Sequence, residues 1–347
     1  MLLRLGLLVA VYDLAEVVLK PVFGTLSDRV GPKRVVLWGL IAFAAVSALG
    51  AAVPGAPALV LVRFGQGAAA AAFSPAASAA VGRLASPATR GRYFGRYGSW
   101  KSLGYATGPL LGAVLASSGG EALLQAALAA TAVGAAVCVA ASCPILAPLP
   151  RKRATVLDVV RRSTSWAFLQ PVIVLSASAG ALVAAIAFLP ASAGRGTNLV
   201  AAASIATVIA LASSLAQPLA GRLLDQKRLT FRTAAPLSLA SCAAGALLAG
   251  TLPAYPAVLL GATLIGAGVG LATPVAYATL AARTPQAEMG RTMGAAELGR
   301  ELGDAGAPTL VGLASSAGGI AAGLMALGVV LLGATISAIA PPPRAHP

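Results

Sequence analysis

Nine charged side chains stand inside apolar stretches of this 347-residue chain: the bases Lys20, Arg63, Lys101 and Arg300, and the acids Asp13, Glu16, Glu297, Glu301 and Asp304. Glu297, Arg300, Glu301 and Asp304 follow i, i+3, i+4, i+7 and so share one helix face. Asp13, Glu16 and Lys20 follow i, i+3, i+7 and do the same. A carboxylate withdrawn from water holds its proton more tightly, and a second carboxylate beside it strengthens the hold. Groups of that kind can carry a proton at neutral pH. Gln66, Trp100, Tyr105, Gln217 and Tyr277 are candidates to line a cavity, and equally to serve as structural hydrogen-bonders. Other chemistries are poorly supplied. The one histidine, His346, sits in the terminal PPPRAHP, which removes histidine-dependent catalysis and most metal sites. Cys138, Cys143 and Cys242 are odd in number and form no CxxC pair, so packing is their expected role. No phosphate-binding loop occurs, so ATP drive is not expected. Neither an enzyme activity nor a cofactor or metal is expected.

The elements that must position these groups are long and apolar. The chain is 58% hydrophobic and 10% charged, whereas soluble domains are about half apolar and about a quarter charged. A segment of about 20 apolar residues is long enough to cross a bilayer. Eleven such spans are expected, near 3–24, 35–53, 57–81, 94–117, 121–143, 167–190, 198–220, 233–252, 256–281, 292–314 and 319–340. The expected class is therefore an all-α polytopic membrane protein, and ionisable groups inside its spans are costly enough to be functional candidates.

The net charge of +15 falls mostly in alternate loops. One set holds Arg29, Lys33 and Arg34; Arg83, Arg90, Arg92 and Arg96; Arg151, Lys152, Arg153, Arg161 and Arg162; Arg222, Lys227, Arg228 and Arg232; Arg283 and Arg291. The other holds only Arg4 and Arg195. The positive-inside bias makes the first set cytoplasmic, with the C-terminus inside and Met1 outside, and explains the charge without nucleic-acid binding. The longest connection, 144–166, divides the chain into an N-terminal bundle (1–143), a cytoplasmic linker (144–166), a C-terminal bundle (167–340) and a cytoplasmic tail (341–347).

The two bundles repeat. Pro21, Gly24, Leu26 and Asp28 recur as Pro218, Gly221, Leu223 and Asp225, 197 residues later. Residues 91–112 align with the stretch from 290 at an offset of 199, keeping Gly91, Arg92, Gly95, Leu103, Gly104, Ala106, Pro109 and Leu111. Gly67 and Pro75 map onto Gly266 and Pro274. Transporters are often built from such repeats, with the solute site between them. Run backwards, the offset places the counterpart of 167–190 upstream of Met1. A twelve-span plan minus its first helix is the expectation, through either a start codon assigned too late or a shortened product.

These motifs resemble the major facilitator superfamily. GTLSDRVGPKR (24–34) is similar to its loop signature between the second and third helices, in Gly24, Asp28, Arg29, Gly31, Lys33 and Arg34. LVRFGQG resembles the fourth-helix signature in Arg63, Gln66 and Gly67. GYATGPLLG, with Gly104, Gly108, Pro109 and Gly112, is similar to the fifth-helix antiporter signature. The resemblance implies a two-bundle fold, a small-molecule substrate, and drug or metabolite efflux coupled to protons, with Arg63 taking part in the coupling. It also implies that helices 3–24 and 292–314 meet between the halves. At about 1.5 Å per residue, Lys20 then lies at the depth of Glu297, Glu16 near Arg300, and Asp13 near Asp304. The expected arrangement is a gate ladder, Lys20–Glu297 and Glu16–Arg300, with Glu301 and Lys101 beside it. The alternative is pairing of Arg300 with Glu297 and Asp304 within one helix, which lowers insertion cost.

Asp13 is the first candidate proton carrier, ahead of Asp304 and Glu16. Arg63 faces Ala262 in the repeat, so the shared fold does not need its charge; Lys101 has Arg300 as its counterpart. Asp28 is expected to cap the helix starting near Gly290, with Asp225 as its second-half echo. The glycine stripe 104, 108, 112 reads either as a seal against proton leak or as ordinary close packing. The expected protein is a monomeric, proton-coupled exporter of small amphiphilic compounds in the cell membrane, surrounded by lipid and binding no nucleic acid. A facilitator-type importer and a truncated, non-transporting sensor or partner are the alternatives.

Overall fold

The computed structural model describes residues 2–53, 56–148, 165–193 and 199–339. Most of the linker, with Arg151, Lys152, Arg153, Arg161 and Arg162, lies outside the described residues, as do Arg195 and the tail with His346. The described secondary structure is helical throughout: α1 (Leu2–Val30), α2 (Pro32–Ala52), α3 (Ala56–Ala70), α4 (Phe73–Leu84), α5 (Arg90–Ser142), α6 (Trp166–Ser192), α7 (Leu199–Asp225), α8 (Phe231–Thr251), α9 (Tyr255–Arg283), a 3₁₀ turn at Gln286–Glu288, and α10 (Met289–Ile339).

Two of these helices are bent pairs. α5 breaks at Gly119 and Gly120, and α10 breaks at Gly318 and Gly319. Gly120 has φ 66°, ψ −162° and Gly319 has φ 77°, ψ 173°, a region only glycine enters without a large steric cost. The breaks fall between the expected spans 94–117 and 121–143, and between 292–314 and 319–340. They are 199 residues apart, so the sequence repeat is also a repeat of backbone geometry. The expected span 57–81 is divided into α3 and α4. Pro75 lacks an N–H and crowds the carbonyl four residues back, at Ala71, which is where α3 gives way to α4. Its counterpart Pro274 is accommodated inside an unbroken α9.

Seven described stretches are long and apolar enough to cross a membrane: Pro32–Ala52, Val114–Ser142, Trp166–Ser192, Ala201–Asp225, Phe231–Thr251, Tyr255–Arg283 and Gln286–Ile339, the last holding both arms of α10. These stretches are found among the described residues, so they are no count of the spans of the whole chain.

By packing, the chain sorts into two units. The first holds Met1–Leu84, Thr107–Lys152 and Thr284–Leu298; the second holds Ala85–Ala106, Arg153–Arg283 and Gly299–Pro347. Within the first, α1 packs on α3, α4 and α2. Its loop after α1 turns at Gly31, φ 91°, and Pro32 starts α2. Lys33 Nζ donates to the carbonyls of Ala140 (2.8 Å) and Cys143 (2.6 Å), closing the C-terminal end of α5. Within the second, α9 is the central element, packed on α8, α7 and α6.

Candidate functional site

One tight helix crossing in the first unit has a copy in the second. In the first unit, α1 crosses the start of α10. Asp28 accepts hydrogen bonds from the backbone N–H of Gly290 (2.7 Å) and of Arg291 (2.9 Å). In the second, α7 crosses the start of α5, and Asp225 accepts from Gly91 (2.8 Å) and Arg92 (2.9 Å). A carboxylate on two free N-terminal amides satisfies the donors and complements the helix dipole. One turn further in, a Cβ at Gly294 would stand 2.9 Å from the Lys20 carbonyl and 3.2 Å from Pro21 Cα. A Cβ at Gly95 would stand 2.5 Å from the Gln217 carbonyl and 3.2 Å from Pro218 Cα. The same backbone approach is thus built twice, and glycine is what permits it.

The side chains at the crossings differ. In the first unit, the Lys20 ammonium is fully buried, 2.8 Å from Glu16 and 3.9 Å from the equally buried Glu297. Ser78 on α4 donates to Glu297 Oε1 at 3.3 Å. In the second unit, Gln217 stands at the repeat position of Lys20, Ser213 at that of Glu16, and Gly98 at that of Glu297. Gln217 Nε2 donates to Ser102 (2.7 Å) and Ser213 (3.2 Å), and Ser99 donates to the Ser214 carbonyl (2.8 Å). Gln217 Oε1 fills the space that a side chain at Gly98 would need.

That second crossing borders a small cavity of about 40 Å³, lined by Tyr97, Lys101, Tyr105, Gln217, Tyr277 and Arg300 among others. Tyr277 is stacked on Phe94, centroids 5.5 Å apart. Arg300 donates to Tyr105 (3.1 Å), to Asp304 (2.5 Å) and to Glu301. Gln217 Oε1 is buried without a hydrogen-bond donor among the described residues. Its lining brings cationic and phenolic groups beside an acceptor that no described donor meets.

The family model of the Major Facilitator Superfamily matches residues 2–308 and 172–347. The chain belongs to that superfamily. It is 40% identical over 93 residues to the puromycin resistance protein pur8 of Streptomyces alboniger, which is 26% of this chain and 18% of that protein. It is 37% identical over 109 residues to multidrug resistance protein 3 of Bacillus subtilis, 31% of this chain and 21% of that one. The matched stretches therefore span about a fifth of each relative. In fold it is similar to the human organic anion transporter MFSD10, TM-score 0.79 at 19% identity, over 96% of this chain and 83% of the other. A multi-pass membrane protein of the facilitator type follows from the family.

The remaining charged and polar residues of this facilitator sort by what they touch. Of the expected ladder, Lys20–Glu297 is an ion pair within the first unit. Within the first unit Glu16 pairs with Lys20 one turn away, and within the second Arg300 pairs with Asp304 on its own helix. Asp13, expected to be buried, is exposed at the surface of the described protein. Gln66 does not line the cavity. It is fully buried and donates to Ser47 (2.8 Å) and Gln125 (2.7 Å) while accepting from Arg63 (3.2 Å). Trp100 is 76% exposed and is not among the residues lining this cavity. Ser213 and Ser102, which the sequence reading missed, carry a signal: Ser213 and Gln217 repeat the i, i+4 spacing of Glu16 and Lys20.

The glycine stripe on α5 is open. Among the described residues nothing stands within 4 Å of a Cβ at Gly104 or Gly108, whereas one at Gly67 would run into the Tyr12 carbonyl. At Gly112 the nearest described atom is Leu124 Cδ1, 4.0 Å from such a Cβ. Gly67→Ala is expected to cost about 1–3 kcal/mol by overpacking, and Gly104→Ala almost nothing. Thermal unfolding in detergent, followed for both variants, checks the contrast.

Proposed function

We propose that this chain is a secondary active exporter that drives small amphiphilic compounds out of the cell against protons by alternating access. The carrying observation is the pair of crossings with one backbone and two chemistries. A fully buried Lys20–Glu297 pair inside a membrane is costly, and the Gln217–Gly98 crossing is built without it. Charges that packing does not require are retained for something that changes their state, and proton binding is the change open to Glu16 and Glu297. Lys101 and Arg300 line the cavity, Glu301 and Asp304 hold Arg300, and Arg63 supplies a half-buried cation in the first unit. Two relatives carry resistance to drugs in their names, and export is how a membrane transporter confers resistance. The basic loops are assigned to the cytoplasm, with the C-terminus inside and the protein a monomer in the plasma membrane.

The test uses proteoliposomes with an acidic lumen and puromycin outside. The expected result is uptake of puromycin, beyond that of protein-free liposomes, that collapses with a protonophore. Uptake equal to the protein-free control, or unchanged by the protonophore, overturns the proposal.

A further inference from the structure

We propose that the first unit binds one anionic phospholipid, with an acyl chain in a groove between α2 and the second arm of α5 and its phosphate at Lys33 and Arg34. The groove measures about 700 Å³. Leu37, Ile41 and Ala48 of α2 line it, with Ala129, Val133 and Ala140 of α5 among others, and every lining side chain is aliphatic. A gap between packed helices forfeits dispersion contacts unless something fills it. A flexible hydrocarbon chain can.

The second unit builds the same helix pair from larger side chains. α2 and α8 begin and end 199 residues apart, as do the glycine breaks of α5 and α10. In the second unit Leu247 of α8 covers Gly328 of α10, where a Cβ would stand 2.6 Å from the leucine side chain. The matching residues of the first unit, Ala48 and Ala129, both line the groove. Along the rest of the seam the copy has Val329, Leu332, Ile336 and Ile339 where the first unit has Ala130, Val133, Val137 and Ala140. Ile41, against Ala240, is the one large exchange in the other direction. The groove thus follows from side-chain size on a backbone that the chain also builds with bulkier residues.

Length and charge select the occupant. From Leu37 to Ala48 the groove runs about 16 Å at 1.5 Å per residue, and half of a hydrocarbon core about 30 Å thick is about 15 Å. One end is cationic. Lys33 stands one turn before Leu37, and its Nζ is fixed there by the carbonyls of Ala140 (2.8 Å), itself a lining residue, and Cys143 (2.6 Å). Those bonds use two of the three donors of an ammonium. Arg34 is exposed and shares a helix face with Leu37 and Ile41, three and seven residues on. Trp38, one turn from Arg34, is 70% exposed, as suits a ring at the headgroup level. Neither 33–48 nor 129–143 contains an acid. An arginine and a lysine at the end of an aliphatic groove suit a phosphate. A zwitterionic headgroup brings a cation of its own to the same place, so net negative charge is favoured. A further helix or a second copy of the chain would cover the aliphatic wall and leave the cationic end unused. By the proposed topology the lipid sits in the cytoplasmic leaflet, where anionic headgroups concentrate.

Native mass spectrometry of the purified full chain in detergent, titrated with phosphatidylglycerol or with phosphatidylcholine of identical acyl chains, tests this. One phosphatidylglycerol per chain should be retained, at least about tenfold more tightly than phosphatidylcholine. Arg34→Gln should cut that preference about fivefold and leave phosphatidylcholine unchanged. Ala48→Leu/Ala140→Ile, which installs the residues of the second unit, should abolish retention of both lipids. Arg34 is exposed, so its variant still decides the matter if the double variant fails to fold. Equal retention of the two lipids, or phosphatidylglycerol held undiminished by either variant, overturns the proposal. A dimer that the double variant abolishes would assign the groove to a second copy instead. The readout involves no transport, so its outcome is independent of puromycin uptake.

Discussion

Lys20→Met is expected to destabilise the chain by about 3–5 kcal/mol, the cost of leaving a buried charge without its partner. Lys20 is among the largest fully buried side chains, and Glu297 beside it has no exposure either. Water cannot replace the ammonium at that depth, so the loss is not relieved as it would be for a surface pair. The second substitution decides the cause. In Lys20→Met/Glu297→Gln the fully buried Glu297 charge is removed too, leaving only the 15% exposed Glu16 without its ammonium, and part of the stability should return. The thermal midpoint of each variant in detergent, combined as a double-mutant cycle, should give a coupling of about 1–3 kcal/mol. A cycle closing at zero would assign Lys20 to packing by its aliphatic stem. Charge exchange, Lys20→Glu/Glu297→Lys, should restore transport lost in each single reversal.

The repeat made the fold legible, because a backbone that is built twice leaves matched Gly, Pro and Asp positions. Asp28 and Asp225 find helix starts because a carboxylate after Gly24 or Gly221 stands beside the close approach that glycine allows. Helical spacing was also enough to group Glu16 with Lys20 and Arg300 with Asp304. It did not say which neighbour a face meets. Asp13 shares the face of Glu16 and Lys20 by spacing, yet is exposed where Lys20 is sealed, since burial depends on the helices packed against that turn. The stripe at Gly104 and Gly108 has the spacing of a packed seam and no described neighbour. Gln66 looked like a cavity residue because it is polar, but partners from other helices, Ser47 and Gln125, turn it into a structural tie. Sequence spacing fixes directions along one helix; partners 59 to 219 residues away decide what those directions mean.

Asp28→Ala is expected to cost about 2–4 kcal/mol and to abolish transport, whereas Asp225→Ala should cost about 1–2 kcal/mol. The two carboxylates make the same pair of bonds, 2.7 and 2.9 Å against 2.8 and 2.9 Å, so bond geometry does not separate them. The access of water to the stranded amides separates them. Without Asp28, the Gly290 amide is left at a buried hydrogen-bonding site, whereas the bonds to Asp225 are part-buried and exposed. Without Asp225, the neighbouring Arg92 side chain is 53% exposed, and water can reach the Gly91 and Arg92 amides in its place. The Arg92–Asp225 contact at 3.2 Å adds little, because an ion pair with one exposed partner is largely screened. Asp28→Asn keeps one acceptor oxygen and should fall between the wild type and alanine. Unfolding midpoints of the four variants, including Arg92→Ala near the wild-type value, test the order. Equal losses for Asp28→Ala and Asp225→Ala would mean that water access does not set the difference.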